Sequence, residues 1–264
     1  MYEITPRLQR LMKYYNIASL SHGSREDKLG DVYEDYCVEL LEDKILLQKA
    51  KSNSLNMNDT DEFVYASILS KNVIPYINKI KNITATNNIK PRFTGGNPKT
   101  DVIADIETNL GVIHLPISVK QTTAPKVAMA EFDVNTIVSE VNITDPIVIK
   151  LLEKHQRDAS AKNFTAGEKV NLRSHLEPYI NRLVRWVVAG TPEPVNDLRF
   201  PELLLKFSLT KNNEIIDINC YTIDEYVDYL IYDKNGNYKK GGFGTGLGWT
   251  YATGSKGEKI QFKG

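Results

Sequence analysis

The chain has 264 residues, 41% of them hydrophobic, with 33 basic and 33 acidic side chains and a formal net charge of zero. Those figures exclude a marginal mini-protein, a low-complexity chain and a polycation, and leave a globular protein of one large or two modest domains. Neutrality argues against diffuse attachment to nucleic acid but not against a local basic cleft, because binding depends on where the charges sit.

Residues 6–15 place apolar groups at helical spacing. Asp27 to Leu47 repeats the rhythm through Leu29, Val32, Tyr33, Tyr36, Cys37, Leu40, Leu41, Ile45 and Leu46, which predicts one helix with a buried stripe. An Asn-rich loop over 51–61 precedes an amphipathic helix over 63–79 that Pro75 bends or divides. The texture changes at Pro91. RFTGGNPKTDVIADI brings paired glycines and then a β-like run, Glu107 to Gly111 reads as a turn, and GVIHLPISVK is a second β-like run. So short a link requires antiparallel neighbours. Pro116 predicts an edge position or a bulge.

From Ala130 to Lys154 the pattern is mainly helical, with a boundary at Asp145-Pro146. Thr165 and Glu168 form the spacing of a capping box opening a helix towards Trp186, which Gly190 stops. Leu203 to Ser208 and Ile215 to Tyr221 read as strands. The end of the chain is glycine-rich and punctuated by aromatics, too irregular for a helix. Residues 234–264 carry six lysines against Glu258 alone, so positive charge gathers at one end. No repeat or linker divides the chain. The expectation is a single α/β domain over 1–264, with a helical part over 1–90, catalytic strands at about 99–121 and a basic segment at about 234–264.

Cys37 and Cys220 are too few for a zinc module or a disulfide scaffold, and a reduced, cytoplasmic setting fits them. No stretch approaches the roughly 20 apolar residues of a membrane span, so no membrane partner is expected.

Asp101 and the run Ser118-Val119-Lys120 carry the most chemical information. Residues two apart on a strand share a face, so Ser118 and Lys120 point together. A hairpin that sets Asp101 beside them joins a carboxylate and an ammonium. A carboxylate can hold Mg²⁺, and a lysine can orient a water attacking phosphorus and offset the charge that develops. Solvent-facing charges on adjacent strands remain the other reading. Asp105 shares the strand face of Asp101 and is an alternative carboxylate. In the basic end, glycines permit close backbone approach, while Thr250, Thr253, Ser255, Lys256, Gln261 and Lys263 can contact phosphates or bases. A mobile tail is the competing reading.

Asp101 and Lys120, with GGNPKTD, AEFDV around Glu131, KHQRDASAKNFT around His155, RWVVAG and the terminal GFGTGLGWTYATGSKGEKIQFKG, resemble the MspI-type family of type II restriction endonucleases. These blocks keep their order over most of the chain. The resemblance implies a divergent PD-(D/E)xK fold, a mixed central sheet flanked by helices, and Mg²⁺-dependent hydrolysis of duplex DNA at a short palindrome such as CCGG, leaving 5′-phosphates. It implies Asp101 as metal ligand, Lys120 as catalytic lysine, and Glu34, in KLGDVYEDYCVE, as an auxiliary metal ligand. Ser118 occupies the position of the family's Asn and of the wider group's Asp or Glu, so it holds a metal or its water only weakly. An alternative is a specific DNA-binding protein with weak or lost cleavage. Thr253, Gln261 and Lys263 resemble base-reading positions. Lys99, Lys239, Lys240 and Lys256 are phosphate candidates, and His155 with Arg157 can line the DNA cleft. A cognate methyltransferase is expected in the same system without a stable complex, and the protein itself as monomer or homodimer.

Overall fold

The computed structural model describes residues 2–71, 73–92 and 97–264. Its helices are α1 Pro6–Tyr14, α2 His22–Leu41, α3 Lys44–Lys51, α4 Thr60–Leu69, α5 Val134–Val141, α6 Pro146–Asp158, α7 Ala166–Leu176, α8 Ile180–Ala189 and α9 Ile223–Ile231. The strands are β1 Ile80–Thr86, β2 Val102–Thr108, β3 Gly111–Thr122, β4 Ala128–Phe132, β5 Leu203–Leu209, β6 Ile215–Thr222, β7 Gly248–Thr250 and β8 Ile260–Lys263. They form two compact units: Met1–Pro125 with Asp197–Thr222, and Lys126–Asn196 with Ile223–Gly264.

The first unit is built on a mixed sheet in the order β1-β2-β3-β5-β6, antiparallel except for the β3–β5 pair. Helix α2 packs on β1, β2 and β3. It does so through the stripe read from the sequence: Leu29, Val32, Tyr33, Tyr36, Cys37 and Leu40 are all fully buried, each contributing about 1.5–3 kcal/mol if its apolar surface leaves water. The stripe does not continue to residue 47 in one helix. The chain breaks after Leu41, and Asp43 caps α3 by accepting from the amides of Ile45 and Leu46. That break leaves Ile45 exposed and turns Leu46 and Leu47 inward. Similarly, the helix over 63–79 is two pieces, α4 and a 3₁₀ turn Ile74–Lys79 that starts next to Pro75.

Strand β1 lies in the part read as helical over 1–90, directly after the helix read to Lys79, and β4 runs into the start of the stretch read as helical from Ala130. The hairpin β2–β3 is as expected, closed by Asn109 and Leu110, with Thr108 Oγ1 accepting from the Leu110 amide and donating to the Gly111 carbonyl. Pro116 is not at an edge: β3 is the central strand. The Ile117 carbonyl accepts from Asp101 on the β2 side, so the Pro116 nitrogen faces the β5 side, where pairing begins only at Ile117 and Leu203. The missing donor therefore forfeits no ladder bond.

In the second unit, the irregular end of the chain pairs into an antiparallel sheet in the order β4-β8-β7. Thr165 and Glu168 form the capping box of α7, and Gly190 ends α8 at φ 80°. Gly246 adopts φ 68°, and a methyl group there would lie 1.7 Å from the Leu230 carbonyl oxygen. Glycine is obligatory at that crossing. Helix α9, unread in the sequence, buries Tyr226, Val227, Leu230 and Ile231. Among the described residues no helix is long and apolar enough to cross a membrane.

Candidate active site and reading surface

The entry to β2 and the later part of β3 bring the predicted residues together. Asp101 Oδ2 accepts three hydrogen bonds, from Ser118 Oγ at 2.9 Å, the Val119 amide at 2.8 Å and Lys120 Nζ at 2.7 Å. Register explains the convergence, because Val102 pairs with Ile117, which sets Asp101 opposite Ser118. Lys120 Nζ also donates to the Val119 carbonyl at 3.1 Å, which fixes its reach. Ser118 is fully buried, so its hydroxyl turns to Asp101 rather than to solvent. The Val119 amide has no sequence signature and emerges only from the register.

Glu34 reaches the same locus from α2. Its carboxyl is pushed up to about 7, first by burial and then by the charge of Asp101, against a smaller lowering by Lys120. A buried carboxyl next to another carboxylate ionises at a cost that a bound cation would offset. Lys99 is pulled down to about 8, by burial first, then by Lys120 and Arg92. Asp105 does not join them; it is exposed and bonds to His114 at 2.7 Å on the hairpin. The paired glycines Gly95 and Gly96 lie outside the described residues.

Among the described residues no three or more His, Cys, Asp or Glu side chains gather as a metal cage. The donors here are the carboxylates of Asp101 and Glu34 and the hydroxyl of Ser118. That set suits Mg²⁺, which commonly takes one or two carboxylates and fills its octahedron with waters and substrate phosphate oxygens.

The second candidate surface is the β4-β8-β7 sheet. Ile260 and Phe262 point inward, so Gln261 and Lys263 share the other face. Thr250 and Glu131 pair with Gln261, and Gly248 and Ala128 with Lys263, giving two cross-strand rows. Thr253 and Lys256 are exposed on the turn between β7 and β8, with Lys256 Nζ 5.3 Å from the Tyr251 ring centroid. Lys239 Nζ donates to the Tyr229 carbonyl and lies 4.5 Å from that residue's ring centroid, whereas Lys240 is exposed. Arg157 is exposed beside Asp158.

Two predicted contacts are corrected. His155 is 1% exposed, packed among Phe164, Phe243 and Trp249, and its imidazole is lowered to about 4 by burial. It is a core group rather than a cleft lining. Ser255 is likewise buried, with its hydroxyl turned to the Ala252 carbonyl at 3.5 Å.

The family model described as restriction endonuclease MspI matches residues 11–264. The chain is 35% identical to the type II restriction enzyme MspI of Moraxella sp, covering 98% of this chain and 99% of that protein. It is 29% identical to the type II restriction enzyme BsuFI of Bacillus subtilis, covering 93% of this chain and 61% of that one. The crystal structure of MspI in complex with its cognate DNA superposes with a TM-score of 0.86 at 33% identity, over 99% of this chain and 100% of the other. The mixed sheet flanked by helices is thus of the restriction-endonuclease type, and the chain belongs to the MspI family of type II restriction endonucleases.

Proposed function

We propose that the protein is a Mg²⁺-dependent endonuclease that cuts duplex DNA at a short palindrome such as CCGG, leaving 5′-phosphate and 3′-hydroxyl ends. The observation that carries this reading is the convergence of Ser118, the Val119 amide and Lys120 on one oxygen of Asp101, beside the proton-retaining carboxyl of Glu34. Asp101 and Glu34, with Ser118 in a lesser role, would hold the Mg²⁺. When bound, the ion supplies positive charge to the phosphoryl oxygens. Lys120 orients the attacking water. The water oxygen bonds to phosphorus in line with the breaking bond to the 3′ oxygen, which leaves with a proton. Asp101 holds the ammonium of Lys120 in place, and Lys99 adds charge for the phosphate backbone. Gln261, Lys263 and Thr253 read bases, while Lys239, Lys240 and Lys256 meet phosphates.

Residues 1–264 act in this reading as one nuclease, monomeric or homodimeric, working beside a methyltransferase that protects the same site without binding it stably. The test is incubation of purified protein with unmethylated duplex DNA and Mg²⁺, followed by mapping of the ends. Discrete, metal-dependent cuts at one short sequence support the enzyme. Ser118 favours one other reading, because its hydroxyl replaces a stronger ligand and already donates to Asp101. Site-specific retention of DNA without cuts across several divalent ions would establish that binding protein instead.

A further inference from the structure

Two adjoining clefts open in the first unit beyond the ends of β3 and β5. One, of about 550 Å³, is lined by Lys13, Asn16, Arg25, Lys211 and Asn213 among others. The other, of about 360 Å³, shares Arg25, Lys211 and Asn213 and adds Glu26 and Thr123. Lys13, Arg25 and Lys211 make no ion pair, side-chain hydrogen bond or ring contact among the described residues. Arg25 extends the buried stripe of α2 by one turn before Leu29, and its Nε is buried with no acceptor. A buried donor of that kind is normally satisfied. Among the described residues Glu26 is the only acidic group of either lining, so the clefts carry a surplus of positive charge.

The walls are well defined. The β5–β6 turn that carries Lys211 is tied by Thr210 Oγ1, which accepts from the amides of Asn212 and Glu214 at 3.2 and 3.1 Å. Gln121 Nε2 donates to the Glu26 carbonyl at 3.0 Å and so fixes the start of α2 to β3. Thr123 lies three residues after Lys120, about 10 Å along an extended chain.

We propose that Lys13, Arg25 and Lys211 form a phosphate site for the backbone of DNA flanking the recognition sequence. The site anchors the duplex independently of its sequence, and it rests on the endonuclease reading. The full chain carrying Lys13→Gln, Arg25→Gln and Lys211→Gln is compared with the parent on two duplexes, one of about 30 base pairs and one trimmed to the recognition sequence plus about two base pairs on each side. On the long duplex the variant binds about tenfold or more weakly at 0.1 M salt, and the slope of log affinity against log salt shrinks by about 0.9 for each lost contact. Binding to the short duplex and the cleavage rate at saturating DNA are unchanged. Equal affinity and slope for both proteins on the long duplex would overturn the proposal. So would equal weakening on both lengths, or occupation of the clefts by inorganic phosphate with no dependence of DNA affinity on flank length. Lys211→Gln alone, in an exposed turn, keeps the test open if the triple variant melts early. A parent that neither binds nor cuts any duplex would sink the endonuclease reading itself, whereas a cutting parent with an unaffected variant sinks only the flank site.

Discussion

At the scale of single residues, the acidic locus is a place where stability and chemistry oppose each other. Glu34 holds its proton to about 7, above the ordinary 4.5 of a glutamic acid. Its folded value is raised, so its contribution to stability is full below the ordinary value and is lost as pH rises through about 7. Each tenfold gain in proton affinity corresponds to about 1.4 kcal/mol, and partial solvent access reduces the total to about 1–3 kcal/mol. Glu34→Gln is therefore expected to raise the melting temperature at pH 8 in the absence of divalent ions, while weakening Mg²⁺-supported cleavage. A thermal scan beside a cleavage assay reads both, and a variant that melts lower at pH 8 contradicts the sign. Lys120→Met should slow cutting by about 10²–10³, with specific DNA binding held within a few-fold; unchanged cleavage would remove Lys120 from its role. Ser118→Asn adds an amide oxygen beside Asp101, and a gain in rate at low Mg²⁺ would assign this position to the surroundings of the ion.

At the scale of elements, β8 is the part whose face and register matter most. Gln261→Ala is expected to cost about 1–3 kcal/mol of discrimination between the cognate site and one with a single base-pair change. Lys263→Ala should lower either discrimination or affinity, seen in competition binding on the same two sites. If neither substitution moves either quantity, β8 is not a reading strand. Gly246→Ala is a different experiment on the same segment: its methyl would meet the Leu230 carbonyl, so the second unit should lose more than about 2 kcal/mol in chemical denaturation.

Much of this architecture was legible in local signals. The β2–β3 hairpin announced itself through two β-like runs and a short turn, and with it came the meeting of Asp101, Ser118 and Lys120. Thr165, Glu168 and Gly190 marked helix ends through side-chain and backbone chemistry that needs no tertiary context. Strand β1 escaped because KNITAT is polar on the exposed side and follows directly on the run read as helical to Lys79. The end of the chain escaped for another reason, since β8 is short and pairs with β4, more than 120 residues earlier, so its partner was not visible locally. His155 sits at a polar-looking place in KHQRDA, yet the rings of Phe164 nearby and of Phe243 and Trp249 from near the chain end enclose it. Burial assembled from remote chain is what a linear pattern conveys least.

At the scale of the whole molecule, the balance of 33 acids and 33 bases hides an uneven layout. The last 31 residues carry a surplus of five positive charges, so DNA affinity should fall steeply with salt despite the neutral total. A flat salt profile between about 0.05 and 0.2 M would show that these lysines do not meet phosphates. The second unit carries its own acid-sensitive group. Neutral His155 is favoured in the fold, with its value lowered to about 4 from the ordinary 6.5. The stability it contributes is present above 6.5 and is lost as pH falls through about 4. That lowering corresponds to about 3 kcal/mol. Both tryptophans, Trp186 and Trp249, belong to the second unit, so tryptophan fluorescence reports on that unit alone. Denaturation midpoints followed this way should drop between pH 7 and pH 5, and His155→Phe should flatten the drop. An equal decline in the variant would assign the acid sensitivity elsewhere.

The chain passes between its two units three times, after Pro125, Asn196 and Thr222. No single cut therefore yields either unit as a contiguous fragment. An exchange of sequence preference between relatives would need two grafts made together, residues 126–196 with 223–264, because β8 from the second piece finds its strand partner β4 in the first. Recombination at one crossover between β4 and β8 would separate those partners, and one ahead of β4 would carry β5 and β6 of the first unit along with them. On the proposed reading of β8, new specificities are expected from point substitutions on β8 and its neighbours rather than from shuffling of whole segments.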